Sequence, residues 1–134
     1  MNPTLKSLSI FAIIFLFMVA EKSYKFALRI IKLYKWFIQE HKEFVLSKQL
    51  LRCGTAVGAL IKEAEHAQSK ADFLNKMNVA LKEANEVEYW LMLLKDSGYL
   101  SEKEFISIHA DCQELIKLLV SIVKSTKKAL KNNF

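Results

Sequence analysis

Glu63 and His66 stand three residues apart, the spacing by which di-iron helical bundles aim a carboxylate and an imidazole at one centre. Such a centre needs a second Glu-x-x-His copy and two further carboxylates. His109 has Asp111 and Cys112 near it, but Ile106 occupies the position three before it, so the second motif is absent and the pair reads as solvated helix surface. His41 falls in a link between elements. Cys53 and Cys112 belong to no metal-ligand or redox spacing and read as small apolar residues. No Ser/His/Asp or Cys/His arrangement has support beyond the residue types themselves. Gly54-Thr55-Ala56-Val57-Gly58-Ala59 lacks the preceding strand and the following Gly-Lys-Ser/Thr of a phosphate loop. Each interior glycine costs a helix roughly 1 kcal/mol relative to alanine. Close backbone approach by a neighbouring helix offsets that cost, as in small-xxx-small packing. No enzymatic activity, metal or cofactor is expected.

The basic residues say more. The net charge is +6, from 20 Lys plus Arg against 14 Asp plus Glu, and the excess sits at the two ends of the chain. Residues 21–42 hold six bases and two acids, residues 115–134 hold five lysines and no acid, and residues 43–114 hold eight bases against twelve acids. Such blocks suit a polyanion. Lys22, Lys25, Arg29 and Lys32 are spaced 3-4-3, with Lys35 beside them, and Lys117, Lys124, Lys128 and Lys131 form a second row with Lys127 adjacent. These rows, with Arg52 as a further candidate, are the expected contacts to nucleic-acid phosphates. No aromatic residues interleave with them, so binding is expected to be electrostatic and weakly sequence-selective.

The elements that must carry these rows are helical. With 52% hydrophobic residues, three glycines and one proline, the chain has too little turn chemistry for a sandwich or barrel. Apolar positions Tyr24, Ala27, Ile31, Tyr34 and Ile38 predict a first helix ending near Glu40, with the basic row pointing outward. Leu46, Leu50, Cys53, Val57, Leu60, Ala64 and Ala67 predict a second. Ser69 and Asp72 start a third on Phe73, Met77, Ala80, Ala84, Val87, Leu91 and Leu94, stopped at Asp96-Ser97-Gly98. A capping box, Ser101 to Glu104, opens a fourth on Phe105, Ile108, Cys112, Leu115, Leu119, Ile122, Thr126 and Ala129. Short links predict an all-α, antiparallel up-down-up-down four-helix bundle over residues 21–134. The end of the fourth helix should then lie near the start of the first, so that the basic rows merge. Phe26, Ile30, Leu33, Phe37 and Trp90 flank the seams, which suggests a second apolar face buried between subunits.

Residues 1–20 stand apart. Leu8 to Ala20 contains one serine and no charge, short for a bilayer span and within the range of a signal-peptide core, although its flanks fit a signal poorly. Four readings stay open: an anchor, a processed signal, translation from upstream of a start at Met18, and an extension of the first helix.

Gln49-Leu-Leu-Arg52, Gly54-Thr55, Gly58-Ala59, Glu63-Ala64, Gln68-Ser69 with Asp72-Phe73, Ala80-Leu-Lys-Glu83, Glu88-Tyr-Trp-Leu91 and Gly98-Tyr-Leu100 together resemble the four-helix-bundle proteins encoded by intervening sequences in bacterial 23S ribosomal RNA genes. The resemblance covers about residues 21–128. It implies a small bacterial homo-oligomer, a pentamer, without known enzymatic activity. The fold is also similar to the accessory variability determinant of diversity-generating retroelements, which implies RNA or DNA and a reverse transcriptase as partners by analogy. Cys53, Ala56 and Leu60 depart from the family's more polar pattern, and the apolar segment lies outside it. That favours Met18 as the start and a cytoplasmic protein for which a membrane is not an expected partner. A genuine anchor at Leu8 to Ala20 would make the protein membrane-associated. A protein-interaction scaffold is the alternative to nucleic-acid binding.

Overall fold

Helix-stop and helix-start chemistry recurs at each junction of the chain. The computed structural model describes residues 2–132, which form five helices and, among the described residues, no strand. Met1, Asn133 and Phe134, the outer limits of the two segments delimited above, lie outside the described residues. Helix α1 (Pro3–Lys6) is one turn, with Pro3 at its first position and the Asn2 side chain accepting from the Thr4 N–H. The Asn2 amide also donates to the carbonyls of Glu65 and Ala67, fastening the amino terminus to the end of α3 (Leu46–Ala64).

Helix α2 (Ile10–Trp36) begins with Ser9 accepting from the Ala12 N–H and runs unbroken through residue 20. Ala12, Leu16, Val19, Ser23, Phe26, Ile30 and, beyond the helix, Phe37 are buried. The first-helix seam expected from the sequence is therefore out of phase: Tyr24 is 67% exposed, and Ala27, Ile31, Tyr34 and Ile38 are only half-buried. Both phases are apolar, so periodicity along α2 alone favours neither. The facing helix decides. A Cβ on Gly54 would stand 2.9 Å from Ile30 Cγ1, and one on Gly58 would stand 3.4 Å from Ser23 Oγ. The two glycines of α3 admit the Ser23/Ile30 face of α2 at close range.

A π-helical turn, Phe37–His41, ends α2, and Lys42 reverses the chain in the left-handed region at φ 52°. Buried Glu43 then caps α3, its carboxylate accepting from the N–H groups of Val45, Leu46 and Ser47 at 3.1, 2.8 and 2.7 Å. Helix α4 (Lys70–Asp96) opens on Ser69, which accepts from the Asp72 N–H, while Asp72 accepts from the Gln68 N–H. Gly98, at φ 88°, follows its end, where the Tyr99 and Leu100 N–H groups turn back to the Leu94 carbonyl. Helix α5 (Glu102–Asn132) starts from the reciprocal Ser101–Glu104 box. All the seam positions expected on α4 are buried, as are those expected on α5 apart from half-buried Ala129.

The long helices pack α2 on α3, α3 on α4, α4 on α5 and α5 back on α2, closing an all-α bundle. Among the described residues no helix is long and apolar enough to cross a membrane.

Candidate nucleic-acid interface

The buried phase of α2 fixes where its basic residues go. Lys22, Lys25, Arg29 and Lys32 each precede a seam residue (Ser23, Phe26, Ile30, Leu33) by one position, about 100° round the helix, so the row flanks the core instead of opposing it. Two of its members meet carboxylates of α5. Arg29 donates to Asp111 Oδ2 at 2.6 Å and to the Ser107 hydroxyl at 3.1 Å, and Lys22 pairs with Glu114. Hydrogen bonding to Glu114 raises the pKa of Lys22. Within α2, Lys25 pairs with Glu21 at 2.8 Å and holds that carboxyl below its usual range.

Arg52 is likewise occupied. It bridges Glu83 at 3.2 Å and Glu86 at 2.6 Å, tying α3 to α4, while the Trp90 indole N–H donates to the same Glu86 oxygen at 3.1 Å. Hydrogen bonds from Arg52 and then Trp90 lower the Glu86 pKa, and the Glu86 contact raises that of Arg52. A phosphate at Arg52, Arg29 or Lys22 would compete with a carboxylate already in place.

The remaining sequence-derived candidates differ. Lys32, Lys124, Lys127, Lys128 and Lys131 are exposed, and none forms an ion pair among the described residues. The expected merging of the two rows reaches only Lys117, one turn beyond Glu114, and not Lys124 to Lys131. Ser9 and Ser125 hydroxyls stand 3.4 Å apart, so the last turns of α5 run beside the first turns of α2, whereas Lys22 faces Glu114. Ten residues of α5, about 15 Å, separate Glu114 from Lys124. Continuation of α2 through residues 10–20 occupies the place expected for Lys22.

Lys32 lines a second feature, an open cleft of about 580 Å³ between α2 and α5, together with Trp36, Lys103, Ser107 and the carboxylate of Glu104. Lys103 was missed in the sequence because it sits at the start of α5, far from either basic row. The acidic partners of α2 were missed too. Their signal was present: Ser107, Asp111 and Glu114 share one face of α5, opposite Lys22 and Arg29 once the two helices run antiparallel.

The other chemistry-bearing residues are engaged in structure or in water. Glu63 and His66 are exposed. His109 Nε2 lies 2.8 Å from Glu88, with its ring stacked on Phe105 at 4.7 Å. Cys53 and Cys112 are buried, and desolvation pushes both thiols up to about 12.

A family model described as 23S rRNA-intervening sequence protein matches residues 17–121. Among solved structures, a protein of unknown function from the S23 ribosomal protein family of Bacteroides thetaiotaomicron VPI-5482 is similar at 55% identity and a TM-score of 0.81, covering 82% of this chain and 98% of that one. No curated protein matches the chain.

Proposed function

The chain belongs to the 23S rRNA-intervening sequence protein family, and on that premise we propose that it is a non-enzymatic, oligomeric helical bundle that binds the backbone of RNA or DNA electrostatically. One observation carries the reading: the last turns of α5 present Lys124, Lys127, Lys128 and Lys131 in a stretch that contains no Asp or Glu from Leu115 onward. Each of these ammonium groups is exposed, without an ion-pair partner among the described residues, and available to a phosphate. Lys32 and Lys103 at the α2–α5 cleft form a smaller second contact. Lys22, Lys25, Arg29 and Arg52 serve chiefly to hold helices and turns together.

Self-association has its own support. Tyr24 and Leu28 are exposed on the outer face of α2, beside an apolar groove lined by Ala20, Ala27, Gly58 and Ala59. A ring of copies would repeat the lysine block around one axis and multiply its field. The alternative, a scaffold for another polypeptide, rests on the same exposed apolar residues.

The deciding experiment is titration of labelled RNA and duplex DNA into the protein across a range of salt, with the assembly mass measured by light scattering. Log affinity for duplex DNA falling with log salt at about −0.9 per phosphate neutralised supports the reading. Absence of binding at low salt removes it in favour of the scaffold.

A further inference from the structure

We propose that the end of the bundle formed by the first turns of α2 and the last turns of α5 docks on an anionic lipid bilayer, lying on the surface without crossing it. Ile10, Phe11 and Phe17 are 65, 69 and 65% exposed, and Ile14 and Met18 are exposed beside them. Ile10, Ile14 and Phe17 follow the 4-3 spacing of one outer helix face, with Phe11 and Met18 one residue further round toward α5. Five large apolar side chains within three turns make a contiguous patch of the kind that soluble monomers rarely leave to water.

Lysines border this patch. Ser125, in contact range of Ser9, has Lys124 one residue before it and Lys128 three after it, and Lys131 is less than a turn further on. Lys6 adds a charge from α1. Residues 2–20 and 115–132 contain no Asp or Glu. The neighbouring α3–α4 junction carries Glu63 at the end of α3, Glu65 in the link and Asp72 in the first turn of α4, but Lys62, Lys70 and Lys76 accompany them.

That combination selects among occupants. A nucleic-acid backbone, the partner proposed above for these lysines, leaves the five apolar side chains in water, so the two ligands would compete for Lys124, Lys128 and Lys131. A second copy placed patch to patch would set these lysines against their own equivalents, with no Asp or Glu in either segment to meet them, and the ring proposed above has its own face at Tyr24 and Leu28 beside the α2–α3 groove. A bilayer with anionic headgroups satisfies both halves: the aromatic and aliphatic side chains enter the boundary between headgroups and acyl chains, and the lysines meet the phosphates.

Flotation of the full chain with vesicles of pure phosphatidylglycerol and, separately, pure phosphatidylcholine tests the proposal. Binding is expected to phosphatidylglycerol and to be much weaker to phosphatidylcholine. Phe11→Ser with Phe17→Ser should lower partitioning at least about tenfold while leaving RNA affinity unchanged. Lys124→Ala and Lys128→Ala should each lower partitioning roughly fivefold. All four positions are exposed, and far-UV circular dichroism checks that each variant keeps its helices. Three results would overturn the proposal: no flotation with phosphatidylglycerol, equal flotation of the double serine variant, or a smaller assembly mass of that variant in solution, which would make the patch a contact between copies.

Discussion

Gly54 lies so close to Ile30 that a Cβ placed on it would stand 2.9 Å from both Cγ1 and Cγ2 of that side chain. Ile30 is fully buried and has nowhere to retreat. Gly54→Ala should therefore destabilise by about 1–3 kcal/mol despite the roughly 1 kcal/mol gained in helix propensity. Gly58→Ala, where the nearest atom is Ser23 Oγ at 3.4 Å, should be close to neutral. Urea denaturation of both variants measures the difference, and Ile30→Ala as a background should reduce the cost at Gly54. Equal effects at the two glycines would refute the close-approach account.

Glu43 caps α3 with its carboxylate, and pH reports on that cap. Burial alone would raise its pKa, but the backbone N–H groups of Ser47, Leu46 and Val45, with the Ser47 hydroxyl, together hold it below the usual 4.5. A carboxyl with a depressed folded-state pKa contributes stability above its unfolded value and loses it as pH falls through the folded one. Glu43→Gln should cost about 1–2 kcal/mol at neutral pH. The gap between variant and parent should shrink on acidification below pH 4.5. A gap that stays constant with pH would mean that charge plays no part in the cap.

Single-stranded RNA binding should separate free lysines from committed ones. Replacing Lys124, Lys127, Lys128 and Lys131 by alanine should reduce the slope of log affinity against log salt by about 0.7 for each phosphate that is no longer neutralised. Arg52→Ala should leave that slope intact and instead cost up to about 1 kcal/mol of stability, the usual scale for exposed ion pairs. The reverse pattern would return the binding site to the α3–α4 face.

Both thiols should be inert in the folded protein. Cys53 and Cys112 are buried, with desolvation pushing their pKa values to about 12, so little thiolate exists at neutral pH. Iodoacetamide labelling should track global unfolding in urea. Rapid labelling of either cysteine under native conditions would contradict its burial.

Local chemistry was legible in the sequence wherever it was self-contained. The Ser69–Asp72 and Ser101–Glu104 starts, the Gly98 stop and the seams of α4 and α5 depend on residues within a few positions of each other. The phase of α2 was not legible, because Phe26 and Ile30 compete with Ile31 and Tyr34 and the choice is made by Gly54 and Gly58 on another helix. That single rotation also explains why Lys22 and Arg29 appeared free. Their partners, Glu114 and Asp111, lie more than eighty residues away and become visible only with the antiparallel register of α2 and α5.

Charge is sorted along the bundle axis as well as around it. At the end holding Lys42, Lys48, Lys95 and Lys103, the carboxylates Glu40, Glu43, Asp96, Glu102 and Glu104 offset the cations, while at the other Glu63, Glu65 and Asp72 are outnumbered by Lys6, Lys62, Lys70 and the lysines ending α5. The molecule is therefore an electric dipole aligned with its long axis. In the field of any polyanion it experiences a torque before contact and turns its lysine end forward. This alignment acts over roughly 10 Å at moderate ionic strength. Added salt thus removes the choice of landing orientation along with the attraction itself.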